Sequence, residues 1–165
     1  MSDLTLEEKA TNHETFRHIE KVRNLLGSMV IQLLARAALH DQSKLEPPEV
    51  SMFTEFTPKL AKSTYGSPEY EGFRKAMGPA LAHHYAKNRH HPEHFKDGID
   101  DMNLVDLVEM LCDWSAAASR HENGDLKKSI EINQSRFNIS PQLKCILLNT
   151  VSLVNGEKQQ WEGND

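Results

Sequence analysis

Apolar side chains recur every three or four residues along most of this 165-residue chain, and no useful stretch alternates between apolar and polar residues. The 3.6-residue period is that of an amphipathic helix, whereas strict alternation indicates a strand. Ser67-Pro68 and Ser140-Pro141 each place a capping residue before a proline at the first helical position. We therefore predict an all-α fold, with one compact helical bundle over residues 1–155 and a frayed tail over 156–165.

The same periodicity predicts where the helices lie and where the chain turns. A first helix would be capped by Thr11 or Asn12 and end at Gly27-Ser28, and Met29 to Leu39 would form a second, mostly buried helix. Four prolines between residues 46 and 68 favour a long irregular connection with one short helix around Phe53. The other predicted helices run from Ser67-Pro68 toward Asn88, Leu104 to Arg120, Leu126 to Phe137, and Gln142 to Val154.

Charge and hydropathy limit the class of protein. Lys and Arg total 19 against 24 Asp and Glu, and this net charge of −5 argues against nucleic-acid binding through bulk positive charge. No apolar run approaches the roughly 18 residues of a membrane span, and the acidic N-terminus lacks the basic start of a signal peptide. Two cysteines form no disulfide framework or zinc ribbon. We expect a cytoplasmic protein that does not bind membranes.

Histidine is unusually frequent, with nine residues, of which five lie between positions 83 and 94. His84 shares a helix face with apolar residues and should point inward, whereas His83 should point away. Pro92 must end any helix in this stretch, which leaves a turn of clustered imidazoles. Such a turn is either a solvated surface or part of a metal site.

Side chains that bind first-row divalent metals recur along the chain as His18, the adjacent His40-Asp41, the histidine-rich stretch and Asp113. Taken singly, His18 can be a core histidine, and Asp113 can be an ion-pair partner of Arg120. The helix that carries Asp113 is otherwise apolar apart from one narrow charged arc, which an isolated ion pair explains poorly. This arc consists of Asp106, Glu109, Asp113 and Arg120.

The motifs around these residues resemble the HD-domain superfamily of metal-dependent phosphohydrolases. The segment from His18 to Val22 is similar to its first ligand helix, and His40-Asp41-Gln42-Ser43-Lys44 is similar to its His-Asp motif, with Ser43 in place of glycine. The EMLCDWSAA segment is similar to the helix of the last ligand. Together with the HHYAKNRHHPEH run, these motifs resemble a small family of bacterial and phage proteins catalogued as a domain of unknown function, over roughly residues 16–150.

The resemblance implies a helical HD fold with one or two divalent transition metals, chosen from Fe, Mn, Co, Ni and Zn. Its implied ligands are His18, His40, Asp41 and Asp113 for one ion, and His84 and His91 for a second. Asp41 would lie between the two ions. Two-metal branches of the superfamily place a ligand in a histidine doublet, which favours His91, although His90 and His94 stay open.

Helix geometry adds a condition on this site. A continuous helix would separate His18 from His40 by about 33 Å, because each residue rises 1.5 Å. A turn at Gly27-Ser28 would give an antiparallel pair of helices and reduce the axial offset to about 6 Å. We therefore expect the chain to turn there.

The resemblance implies a phosphohydrolase for a small phosphorylated metabolite, with a nucleotide as the favoured substrate. A metal-activated water would attack phosphorus, with Asp41 at the metal and cations on the phosphoryl oxygens. Lys44 is the first such cation, although a solvated lysine or a partner of Glu46 or Glu49 fits it equally. The other candidates are Arg36, Lys87 and Arg89 for substrate binding, and Glu93 or Asp106 for proton transfer.

Two alternatives stay open. Some HD-fold proteins with two metals are di-iron oxygenases that cleave C–C or C–P bonds with dioxygen, and a histidine-rich ligand set suits such a site. A non-catalytic module that binds a nucleotide or a partner protein through a metal-stabilised fold suits the same residues. The metal number, the substrate and the oligomeric state, a homodimer included, are not determined by the sequence.

Overall fold

A computed structural model describes residues 4–64, 66–120 and 124–156, and this part of the chain is helical with no strand. The predicted all-α class is confirmed. Most of the tail predicted to fray lies outside the described residues. The helices are α1 (Leu6–Leu39), α2 (Glu49–Lys62), α3 (Pro68–Ala76), α4 (Gly78–Lys87), α5 (Leu104–Ala118), α6 (Leu126–Phe137) and α7 (Pro141–Val154), with 3-10 turns at Gln42–Leu45, Pro92–His94 and Gly98–Asp101.

The chain divides into two compact units. The first ends at Leu39 and contains α1, and the second begins at His40 and contains α2 to α7.

α1 is one uninterrupted helix of 34 residues, so the predicted turn at Gly27-Ser28 is wrong. A glycine inside a helix costs only about 1 kcal/mol relative to alanine, which is too little to break a long helix. Ser28 is also satisfied within the helix, because its hydroxyl donates to the carbonyl of Asn24 at 3.0 Å.

α1 also begins before the expected cap at Thr11 or Asn12. The backbone N–H of Thr5 donates to the Glu8 carboxylate at 2.7 Å, and that of Glu8 donates to the Thr5 hydroxyl at 3.2 Å, which forms a capping box. No residue of α1 is buried, in contrast to the burial predicted for Met29 to Leu39. The segment Leu6–Leu45 is long enough and apolar enough to cross a membrane. Core helices of soluble proteins and signal sequences share this length and composition, so the feature is weak evidence for a membrane span.

α2 occupies the stretch predicted as an irregular connection. Pro47 and Pro48 precede the helix, where a missing N–H costs little, and Pro58 is accommodated inside it. Glu49 and Phe56 are its buried residues, and α2 packs against α4. The short helix predicted around Phe53 is therefore confirmed, but at 14 residues it is longer than expected and replaces most of the irregular connection.

Two short helices, α3 and α4, replace the single helix predicted toward Asn88. Ser67 caps α3 as predicted, since its hydroxyl accepts from the N–H of Tyr70 at 3.1 Å. Pro79 cannot continue a helix, because its ring clashes with the carbonyl four residues earlier and it has no N–H. The chain therefore restarts as α4, which buries His84 at 1% exposure.

α5, α6 and α7 surround the main apolar core of the second unit. A capping box between Asn103 and Asp106 starts α5, which ends at Ala118, two residues before the predicted Arg120. The core residues are Ile99, Met110, Leu111, Trp114, Leu126, Ile130, Ile139, Leu147 and Val151.

Two isoleucines of α6 provide a matched test of this core. Ile130 is fully buried, whereas Ile132 is 37% exposed. Ile130→Ala should lower the free energy of unfolding by about 2–5 kcal/mol, because it leaves a cavity. Ile132→Ala should cost under about 1 kcal/mol in the same urea titration. Equal losses in the two variants would contradict the core described here.

Candidate metal centre

Six metal-binding side chains converge in the second unit, and they come from three regions of its chain. His40 and Asp41 begin the unit, α4 and the loop after it supply three histidines, and α5 supplies Asp113. They form two groups, Asp41 with His84, His90 and His91, and His40 with His90 and Asp113. Within each group the donor atoms all lie within 4.8 Å of one another.

The first group has the spacing of ligands around one ion. Nε2 of His84 lies 2.9 Å from Nε2 of His91 and 3.3 Å from Oδ1 of Asp41, and Nε2 of His90 lies 3.5 Å from the same oxygen. Tetrahedral ligands at about 2.0–2.1 Å from zinc are about 3.3–3.4 Å from each other. Oδ1 of Asp41 and both ring nitrogens of His90 are buried without a hydrogen-bond partner among the described residues, and a metal at Oδ1 and Nε2 would satisfy two of these three atoms.

The second group lies on the other side of the Asp41 carboxylate. Nε2 of His40 is 3.5 Å from Oδ2 of Asp41 and 3.7 Å from Oδ1 of Asp113. The rings of His40 and His90 are also adjacent, with centroids 4.4 Å apart. Asp41 therefore presents one oxygen to each group, and His90 belongs to both.

Two glutamates hold the outer nitrogens of these rings. Oε1 of Glu109 lies 2.9 Å from Nδ1 of His40 and 3.1 Å from Nδ1 of His90. Oε2 of Glu49 lies 2.8 Å from Nδ1 of His84. An ionised carboxylate can only accept, so Glu109 and Glu49 favour a proton on Nδ1 of His40 and of His84. Nδ1 of His90 lies 3.1 Å from Oε1 of Glu109 without a hydrogen bond, and the negative charge beside it favours a proton there as well. A neutral ring with its proton on Nδ1 leaves a lone pair on Nε2 for a metal.

Ser43, which stands in place of a glycine in the His-Asp motif, supports one of these glutamates. Its hydroxyl donates to Oε2 of Glu49 at 3.1 Å and accepts from the side-chain amide of Asn88 at 2.9 Å. Glu49 also accepts from Nδ1 of His83 at 2.6 Å. Glu49, which is fully buried, is therefore surrounded by donors that offset its loss of hydration.

Most of the charges in the centre favour the protonation states that bind metal. Burial, together with the neighbouring His90 and His84 rings, lowers the pKa of His91 to about 2, so this ring is neutral. Burial raises the pKa of Asp41, but the contact with His84 and the charge of Lys44 outweigh it and keep the carboxylate ionised. His40 is the exception, because the carboxylates of Asp113 and Glu109 raise its pKa to about 10.

The structure places Lys44 against a candidate ligand. Its Nζ donates to Oδ2 of Asp41 and lies 5.0 Å from the centre of the Phe53 ring. The partner of Lys44 is therefore Asp41, and neither Glu46 nor Glu49 takes that place. A cation at the outer oxygen of Asp41 is positioned to meet an anion that approaches the second group.

The other predicted polar residues have different surroundings. Arg89 makes a two-pronged contact with the buried carboxylate of Asp106, at 3.1 and 2.9 Å. Glu93 accepts from Arg136 at 2.6 Å. Lys87 is exposed at the end of α4, and Arg36 lies in the last turn of α1.

His18 is the predicted ligand that the structure does not place in either group. It lies in α1, and the continuous helix separates it by about 32 Å along the axis from Leu39, the residue before His40. The role that the resemblance implies for His18 stays a prediction, and it would require α1 to be interrupted. The other five predicted ligands, His40, Asp41, His84, His91 and Asp113, are brought together in the second unit.

His90 is left open by the sequence beside the preferred His91, and Glu49 and Glu109 are not predicted as functional residues. A histidine doublet in a turn does not reveal which ring points inward, and His90 is only 1% exposed. Glu109 lies four residues before Asp113 on the charged arc, and that spacing on one helix face could have identified it. Glu49 has no comparable signal, because only the packing of α2 on α4 brings it to the histidines.

The fold and this centre define an all-α protein with a buried cluster of histidines and carboxylates. Residues 7–153 match the family of unknown function DUF5662, and the chain therefore belongs to that family. The predicted resemblance to a domain of unknown function is thereby confirmed. No curated protein and no solved structure matches the chain.

The raised pKa of His40 predicts a pH dependence of stability in the metal-free protein. Its imidazolium is stabilised by Asp113 and Glu109, so this contribution is fully present below the ordinary pKa of 6.5 and is lost as pH rises through about 10. Urea titrations with a chelator should therefore show that wild type loses its advantage over His40→Gln between these values. A difference that stays constant over this range would contradict the assigned charge.

Proposed function

We propose that this protein is an HD-type metal-dependent phosphohydrolase acting on small phosphorylated metabolites, with nucleotides as the favoured class. The observation that carries the proposal is the buried cluster in which Asp41, His84, His90 and His91 offer donor atoms at the spacing of ligands around one ion. Its outer nitrogens are backed by carboxylates, the usual support of histidine ligands to a metal.

The donor set suits a divalent transition metal. Imidazole and carboxylate donors without sulfur suit Zn, Fe, Mn, Co or Ni. Asp41, His84, His90 and His91 would hold one ion, and His40, Asp113 and the second oxygen of Asp41 would hold another. The second set contains fewer protein donors, which leaves coordination positions for water and substrate.

A divalent ion held here would lower the pKa of a water and polarise a phosphoryl oxygen. The side chains of the chain supply the remaining functions. Asp41 sets the spacing between the two groups, because its two oxygens face opposite sets of donors. Lys44 would exchange its contact with Asp41 for a phosphoryl oxygen and neutralise charge there. Glu93 and Asp106 are weaker candidates for proton transfer, because both accept from arginines.

Metal content and turnover of single variants test this proposal. His90→Ala and Asp41→Asn should each lose at least about 10-fold in metal affinity and most phosphate release from a panel of nucleotides, because each removes a ligand. His94→Gln is the matched control from the same segment, since His94 belongs to neither ligand group and its Nδ1 donates to the backbone carbonyl of Tyr85 at 2.8 Å. Elemental analysis of protein purified without chelators gives the readout.

The same panel separates the alternative functions. Wild-type protein that retains metal but consumes dioxygen, with no release of phosphate, would support the oxygenase. A nucleotide that raises the melting temperature without turnover would support a binding module. Equal metal content in His90→Ala, Asp41→Asn and His94→Gln would contradict the metal centre itself.

Lys44 provides a prediction that separates substrate binding from metal binding. Lys44→Gln should lower kcat/KM by about 100-fold, as loss of a donor to a developing oxyanion does, while metal content is retained. Lys59→Gln is the control, because Lys59 pairs with Glu55 on the exposed side of α2. Loss of metal in Lys44→Gln, or unchanged kcat/KM, would contradict the role given to Lys44.

A further inference from the structure

Glu109 of α5 is the acidic residue that contacts rings from both ligand groups through one oxygen. Its Oε1 is 2.9 Å from Nδ1 of His40, which belongs to the second group, and 3.1 Å from Nδ1 of His90, which belongs to both. Glu109 has no place in either group of candidate ligands. Its side chain is 9% exposed, so the contacts are formed out of water.

The two rings are held between carboxylates at opposite ends. Their Nδ1 atoms face Glu109, while Nε2 of His40 and Nε2 of His90 each lie 3.5 Å from an oxygen of Asp41. Glu109 accepts a hydrogen bond from Nδ1 of His40, and its negative charge 3.1 Å from Nδ1 of His90 favours a proton there without a hydrogen bond. The opposite tautomer would put a proton on Nε2, where no metal could bind.

Glu49 makes the corresponding contact on one side only. Its two oxygens face Nδ1 of His84 and Nδ1 of His83, at 2.8 and 2.6 Å. His84 belongs to the first group alone, and His83 belongs to neither. The two glutamates therefore differ in the number of ligand groups that each one supports.

We propose that Glu109 is a positioning residue that couples two metal sites, and that Glu49 serves only the site containing His84. This inference rests on the proposed metal centre and adds a division of labour between its supporting carboxylates. Loss of a carboxylate behind a histidine ligand lowers metal affinity by about 10–100-fold. Changes at Glu109 should therefore weaken both ions, and changes at Glu49 should weaken one.

Titration with Co²⁺ tests the division directly, because calorimetry gives the affinity and number of ions and the visible absorption reports the ligand geometry of each. Wild type should bind two ions. Glu109→Ala should lower both affinities by about 10–100-fold, with Glu109→Gln less affected because its amide oxygen still accepts, and Glu49→Ala should lower one. Glu131→Gln, at an exposed carboxylate paired with Lys144, is the control and should match wild type.

Several outcomes would overturn the inference. If wild type binds two ions and Glu109→Ala weakens only one, or neither, Glu109 does not couple the sites, although the proposed function survives. One ion in wild type overturns the coupling and leaves a single-metal hydrolase. Wild type that binds no Co²⁺ overturns both proposals. Circular dichroism distinguishes misfolding from loss of a supporting contact. If Glu109→Ala does not fold, Glu109→Gln provides the test. An absorption spectrum and two Co²⁺ affinities identical to those of wild type in Glu109→Gln would then overturn the coupling.

Discussion

Contacts between buried carboxylates and the outer nitrogens of histidines are the interaction on which the centre depends. A buried charge costs several kcal/mol unless donors surround it, and a buried imidazole needs a partner for its N–H. Glu109 accepts from Nδ1 of His40 and places its charge 3.1 Å from Nδ1 of His90, and Glu49 accepts from Nδ1 of His84. The same contacts favour a lone pair on Nε2 of each ring, so the packing of the second unit prepares these nitrogens for the proposed metal binding.

α5 packs against the apolar core on one side and carries residues of the candidate metal centre on another. One side of this helix buries Met110, Leu111 and Trp114 among residues of α6 and α7. Another side carries Glu109 and Asp113, which face the histidines one turn apart. The apolar core therefore fixes the position of two carboxylates, and α4 with its following loop is held against them through Arg89 and Asp106.

The sequence predicted local features better than those set by long-range packing. Caps and apolar periodicity located α6 and α7, and the wheel position of His84 predicted its burial. The turn predicted at Gly27-Ser28 was wrong, because a single glycine weakens a helix without ending it. His90 and Glu49 could not be assigned, since their roles arise from contacts between segments distant in sequence.

X-ray absorption at the metal edge of the zinc-loaded protein tests the central claim most directly. The account predicts a first shell of nitrogen and oxygen at about 2.0–2.1 Å, with outer scattering from several imidazole rings. Sulfur at about 2.3 Å, which Cys112 or Cys145 would supply, or a shell without imidazole scattering, would contradict the centre described here.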